Sequence, residues 1–257
     1  MSTLTYTVTD SVTMVRRNLL RAKRYPAMTV SLIVMPIVLL LMFRYIFGGA
    51  LGASTDGTTY INYLAPGMML MIPAYSIAGV AVSVCTDMTK GIVKRFRSMS
   101  IGQTAMLTGQ VFGTLVQSML GVFAMTGAAL LIGFRPQANA LEWLAAFGLV
   151  ALVVVALAWL GVAFGLAAQN PESAGNMPMP ILLLPFFGSG LVPTDTMPAG
   201  VRQFAEYQPF TPMTETLRGL LMNEPIGGNA VGALVWCAVL AGIGYGWSKW
   251  LLRRQAQ

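Results

Sequence analysis

The stretch LEWLAAFGLVALVVVALAWLGVAFGLAA, Leu141 to Ala168, carries one charge, Glu142, at its second position. As a helix rising 1.5 Å per residue it would be about 42 Å long, more than the ~30 Å hydrocarbon core of a bilayer. It is long enough to span with tilt. Five further apolar stretches flank it: Ala27 to Phe47, Pro66 to Thr86, Met106 to Gly133, Met177 to Val192 and Gly228 to Leu252. The Met106 stretch is also long enough to tilt. The Met177 stretch is short and contains Pro178, Pro180 and Pro185, so its helix is expected to be distorted, with neighbours satisfying the freed backbone groups. The expected architecture is all-α, a single domain over residues 1–257 with six transmembrane helices.

Composition agrees. Hydrophobic residues make up 56% of the 257 and charged residues 10%, where a soluble domain carries about 25% charged. So few charges cannot cover a water-soluble body of this size, and the same numbers exclude disorder. The first apolar stretch exceeds a signal-peptide core and follows some twenty-five residues, so it reads as a retained span with no cleavable leader.

The charges set the expected orientation. With both termini inside, the inner segments hold Arg16, Arg17, Arg21, Lys23 and Arg24, then Lys90, Lys94, Arg95 and Arg97, then Lys249, Arg253 and Arg254. Twelve bases against three acids give the inner side +9. The outer side keeps Arg44, Arg135, Arg202 and Arg218 against six acids, for −2. The net +7 is therefore membrane orientation, not a nucleic-acid surface. Bases beside apolar spans meet anionic headgroups, at about 1 kcal/mol each, and no soluble domain presents a DNA-reading face.

Three segments outside the spans carry structure. Before the first span, Val8, Val12, Val15, Leu19 and Ala22 form one stripe, with Arg17, Arg21 and Arg24 on another face. This is an amphipathic helix, residues 1–25, lying in the inner interface. Its reading is an orientation anchor or a contact for a cytoplasmic partner. After the second span, residues 87–100 place Ile92, Phe96 and Met99 on a narrow apolar stripe flanked by Lys90, Lys94 and Arg97. Such a stripe must bury itself on the membrane or in a partner's groove, unless the segment is a plain basic loop. The outer segment 193–227 is too long for a simple connector. Thr211 and Pro212 read as N-cap and first helical residue, with Met213, Leu217, Leu220 and Leu221 as the apolar face, and a short helix is expected around Ala199 to Tyr207. Their expected role is to cap the bundle.

Several chemistries are excluded by residue type. The chain has no His and two Cys, which removes His-based triads, His metal sites and Cys-rich frameworks. Gly188-Ser189-Gly190 resembles a nucleophile turn but has no His base. No G-x-x-x-x-G-K-[ST] occurs, so no P-loop nucleotide site is encoded. Asp87 and Glu142 sit at span ends and no acid lies mid-span, unlike an ion-coupled carrier. No cofactor is expected in this chain. The motor lies elsewhere, or the protein is a passive pore. Small-xxx-small pairs Gly109/Gly113, Gly161/Gly165 and Gly242/Gly246 permit close helix approach. The 18 Met residues, clustered near Met68, Met69 and Met71 and near Met177 and Met179, suit either an adaptable cavity or a core.

Six spans, an interfacial N-terminal helix and an Asp-x-x-x-x-Gly helix after the second span resemble the ABC-2 type transporter permeases. The strongest likeness runs from Asn170-Pro-Glu-Ser-Ala-Gly-Asn through Phe186-Phe-Gly-Ser-Gly-Leu-Val-Pro-Thr-Asp-Thr-Met-Pro to Tyr207-Gln-Pro-Phe-Thr-Pro-Met-Thr-Glu-Thr-Leu-Arg218. It is similar to the daunorubicin-resistance branch of bacterial drug-efflux permeases, over essentially the whole chain. The resemblance implies a multi-pass subunit of the bacterial plasma membrane, pairing with a second permease copy as a homodimer. It implies two copies of a separate ATPase, which carry the ATP and Mg. It also implies that the helix at 87–100 is a coupling helix, making Lys90, Gly91, Ile92, Lys94, Arg95, Phe96, Met99 and Ser100 candidate ATPase contacts. Where the family often has Glu or Arg just before the glycine, this chain has Thr89 and Lys90.

The function expected on this basis is ATP-driven export of hydrophobic or amphipathic, drug-like compounds, with no catalytic site in this chain. A cavity is expected between the second and fifth spans of two protomers, with Met68, Met71, Tyr75, Phe186 and Phe187 as its candidates. The alternatives are export of a lipid or glycolipid by the same machinery, an ATP-independent channel or carrier, and a sensor or assembly subunit that moves nothing.

Overall fold

The computed structural model describes residues 26–48, 60–90 and 103–254. Those residues form helices and turns, with no strand among them. The helices are α1 (Pro26–Tyr45), α2 (Tyr60–Thr89), α3 (Gln103–Ile132), α4 (Ala140–Ala167), α5 (Pro171–Asn176), α6 (Met179–Leu183), α7 (Ala199–Tyr207), α8 (Phe210–Met222) and α9 (Asn229–Arg254). Short 3-10 turns cover Leu184–Phe187 and Thr194–Thr196. The amphipathic helix expected at 1–25 lies outside the described residues.

Among the described residues, four helices are long and apolar enough to cross a membrane: α2, α3, α4 and α9. They correspond to the expected second, third, fourth and sixth spans. α4 starts where its chemistry dictates. The Asn139 side chain accepts from the N–H groups of Leu141 and Glu142, and the Glu142 carboxylate accepts from the Asn139 N–H at 2.7 Å. This reciprocal capping box satisfies donors that a helix N-terminus otherwise leaves free. α1 covers most of the first expected stretch with 20 residues, about the length a crossing needs.

Two boundaries differ from expectation. α2 begins at Tyr60, six residues before the expected Pro66, because Tyr60, Ile61 and Leu64 pack into the core instead of forming a connector. At its other end α2 runs on through Asp87, Met88 and Thr89, which were expected to open the coupling helix. Lys90 follows as an exposed turn residue, and the remaining coupling-helix candidates, Gly91 to Ser100, lie outside the described residues.

The expected fifth span, 177–192, is not one helix. α6 has five residues and passes directly into the 3-10 turn at Leu184–Phe187. Pro180 and Pro185 lack the N–H that a continuing helix would use, and each ring crowds the carbonyl four residues back. The prolines break the helix outright, a stronger effect than distortion.

α2 is the hub, touching α1, α3, α4, α5, α6 and α8. α4 lies beside it, and α9 packs on the far side of α4. The main core joins Ile61, Leu64, Met68 and Ile72 of α2 to Met125 of α3, Val153 and Leu157 of α4, and Phe210, Met213 and Leu217 of α8. Glycines set the closest seams. A Cβ on Gly161 would lie 2.8 Å from the Ile77 carbonyl oxygen, and one on Gly165 would lie 2.6 Å from that of Ala81. Helices meeting in lipid gain from such backbone approach, because no hydrophobic driving force separates helix from acyl chain.

Candidate functional site

The end of the bundle where α2 and α4 begin and α3 finishes is closed by α7, α8 and the broken segment. Here the turn Gly188-Ser189-Gly190-Leu191 presses against the first turns of α2. Gly67 makes this possible: a Cβ there would sit 2.5 Å from the Gly190 carbonyl oxygen and 2.6 Å from its Cα. Gly188 likewise leaves space for the Gln208 amide, which a Cβ would strike.

A polar clamp holds the turn. Tyr60 Oη donates to the Leu191 carbonyl at 3.0 Å, and Tyr63 Oη donates to the Ser189 carbonyl at 2.7 Å. Spacing of three on α2 puts both tyrosines on one face. Arg218 of α8, 4% exposed, reaches the same point. Its Nη2 donates to the carbonyls of Ser189 (2.8 Å) and Tyr63 (3.2 Å), and its Nη1 to Glu215 Oε1 (2.6 Å). The guanidinium also lies 3.7 Å from the centroid of the Tyr63 ring, a cation–π contact. From the other side, the Ser189 N–H donates to Thr211 Oγ1 at 3.3 Å, and Gln208 Nε2 donates to that oxygen at 3.1 Å. Thr211 is thus a buried acceptor inside α8, not the N-cap its pairing with Pro212 suggests; α8 starts two residues before Pro212, at Phe210. A guanidinium so enclosed needs these partners, since a buried cation left without them is costly.

Two recesses adjoin the clamp. One, about 350 Å³, is polar and lined by Asn62, Tyr63, Asp195, Glu215, Arg218 and Glu224 among others. The second, an open groove of about 570 Å³, is almost wholly apolar. Pro180, Leu183, Leu184 and Phe187 form one wall, and Gly200, Val201 and Phe204 of α7 form the other. The Phe187 and Phe204 rings meet edge to face, centroids 6.4 Å apart. α7 turns its opposite, polar face to solvent, where Arg202 and Glu206 pair at 2.6 Å and the carboxylate pushes the arginine pKa up. The short helix expected at Ala199–Tyr207 therefore builds a groove wall as well as a cap.

The five candidate cavity residues separate. Phe187 is half-exposed in the groove, and Tyr75 and Phe186 are partly buried against the core. Met68 and Met71 are 0% and 1% exposed and packed inside the protomer. As packed within the protomer they offer no surface to a ligand. Residues not foreseen as site residues are Tyr60, Tyr63, Gln208, Thr211, Glu215 and Arg218. A signal was present: Arg218 interrupts the otherwise apolar run Leu217, Gly219, Leu220, Leu221. Among the described residues, no group of His, Cys, Asp and Glu could hold a metal ion.

Comparison with known proteins identifies the setting of this site. The sequence pattern of the ABC-2 type transporter family matches residues 9–222. A daunorubicin resistance ABC transporter permease protein of Streptomyces coeruleorubidus is 29% identical over 237 residues, 92% of this chain and 82% of the relative. A probable doxorubicin resistance ABC transporter permease protein of Mycobacterium tuberculosis is 20% identical over 252 residues, 93% of this chain and 88% of the relative. With the family pattern extending through the bundle and the clamp to Met222, the chain belongs to the ABC-2 type transporter family.

Proposed function

We propose that this chain is the permease subunit of an ATP-driven exporter of hydrophobic or amphipathic compounds in a bacterial plasma membrane. Both termini face the cytoplasm, as the +9 and −2 charge division favours. Two permease copies work with two copies of a separate ATPase, which supply ATP hydrolysis and Mg; the names of the similar permeases support a drug-like cargo. The observation that carries the cargo class is the apolar groove between the broken segment and α7. Its wall of Phe187, Phe204, Leu183 and Val201 offers dispersion contact without fixed polar demands.

Energy enters at the opposite end. The coupling segment Lys90, Gly91, Ile92, Lys94, Arg95, Phe96, Met99 and Ser100 docks its Ile92–Phe96–Met99 stripe in the ATPase. ATP binding must favour one arrangement of the permease over another, since a ligand shifts an equilibrium only by its differential affinity for the two states. α2 is continuous from that segment to the Tyr60–Tyr63 clamp, so a displacement at Thr89 reaches the groove end along one helix. Met68 and Met71 contribute to this rod as core packing.

Phe96→Asp tests the coupling. With the variant permease inserted and paired with its ATPase, cargo transport and permease-dependent stimulation of ATP hydrolysis are both lost. Normal stimulation in that variant contradicts the coupling assignment.

A further inference from the structure

The Ser189 peptide is fixed on both sides by groups from two other helices, and its own side chain takes no part. Thr211 Oγ1 holds the N–H; Tyr63 Oη and Arg218 Nη2 hold the carbonyl. The Ser189 hydroxyl is buried with no hydrogen-bond partner among the described residues. Phe187 lies two residues earlier in the chain and forms part of the groove wall. Between them Gly188 contributes no side chain, and its N–H closes only the tight turn onto the Pro185 carbonyl. A displacement of the Ser189 carbonyl therefore passes to Phe187 across a single residue.

We infer that Arg218, which does not line the apolar groove, is a positioning residue for it. By fixing the Ser189 carbonyl, Arg218 sets where Phe187 stands against Phe204 and hence how closely the groove fits an apolar cargo. This rests on the reading of the groove as a cargo site. The geometry favours positioning over simple anchoring of α8, because the guanidinium fork bridges two carbonyls on two elements, Tyr63 of α2 and Ser189 of the turn. Lysine carries the same charge but cannot bridge both carbonyls while stacking on the Tyr63 ring.

The test is ATP-driven uptake of daunorubicin into inverted vesicles holding the full permease with its ATPase. It compares wild type, Arg218→Lys, Phe187→Ala and the double variant. Arg218→Lys is expected to raise the apparent KM about tenfold, as loss of one charged hydrogen bond does, with Vmax per inserted permease within about twofold. Phe187→Ala raises KM as well, and adding Arg218→Lys to it changes nothing further, because residues acting through one another are not additive. An unchanged KM in Arg218→Lys, or effects that add in the double variant, overturns the inference.

Should Arg218→Lys fail to insert, Tyr63→Phe replaces it, since it removes one donor to the same carbonyl and keeps the ring. A smaller KM rise, absent in the Phe187→Ala background, supports positioning; an unchanged KM refutes it. Wild-type vesicles that accumulate no daunorubicin contradict the cargo reading instead. In that case fluorescence titration of daunorubicin onto the purified proteins decides positioning: the Kd must follow the same non-additive pattern, and a Kd that does not refutes it.

Discussion

α2 and α9 are both long, apolar and able to cross a bilayer, yet 78% of the most apolar window of α2 is buried inside the protein against 17% for α9. The difference is written in residues that a lipid-facing helix does not need. α2 carries Pro66 and Pro73, the clamp tyrosines, Ser76 bonded to the Pro73 carbonyl, and Gly67 against Gly190. α9 turns Val235, Val239 and Ile243 outward, and a Cβ on Gly242 or Gly246 would meet nothing within 4 Å among the described residues. α9 touches α4 closely at Gly244, where a Cβ would lie 2.5 Å from the Leu160 nitrogen. Hydropathy thus marks which helices can enter a bilayer; small and polar residues that find partners mark which of them form the machine's interior.

The contrast breaks most visibly at glycines. Gly165→Leu drives a side chain into the Ala81 carbonyl and Val84, and should cost more than about 3 kcal/mol, read as loss of monodisperse protein on heating in detergent. Gly246→Leu on α9 should leave the same melting profile unchanged. A comparable loss in both would abolish the distinction between the helices. Arg218→Met comes next. It takes the ion-pair partner from Glu215 and one donor each from the Tyr63 and Ser189 carbonyls, and should cost about 2–3 kcal/mol by the same assay.

Smaller changes sharpen the picture of the clamp. Tyr60→Phe removes one buried hydrogen bond to Leu191 and should lower stability by about 1 kcal/mol. Ser189→Ala deletes a hydroxyl that has no partner among the described residues, and should fall within about 0.5 kcal/mol of wild type or stabilise it. A large loss in Ser189→Ala would mean that the hydroxyl, and not the peptide, is what the turn depends on.

Long apolar runs made the third, fourth and sixth crossing stretches legible in the sequence; the Asn139–Glu142 capping box that starts α4 emerges only in the structure. The Tyr60 start of α2 was hidden because a proline at 66 reads as a helix beginning, while here α8 and the turn at 188–191 support six residues before it. The break at 177–192 was half visible: three prolines announce disturbance, but whether the chain bends or stops depends on the neighbours that receive its carbonyls. Met68 and Met71 were open to two readings because thioethers serve cores and cavities equally well; within the protomer both are buried. Arg218 counted as an outer charge in the orientation argument, whereas in three dimensions it is enclosed. Only long-range partners, Tyr63 and Ser189, distinguish those two roles.

The central claim is that this bundle is a cargo path driven by another chain's ATP hydrolysis. Purified permease in liposomes, with and without its ATPase, should accumulate daunorubicin only when the ATPase and hydrolysable ATP are both present. Equal accumulation by the permease alone, down a gradient and indifferent to ATP, would contradict the account.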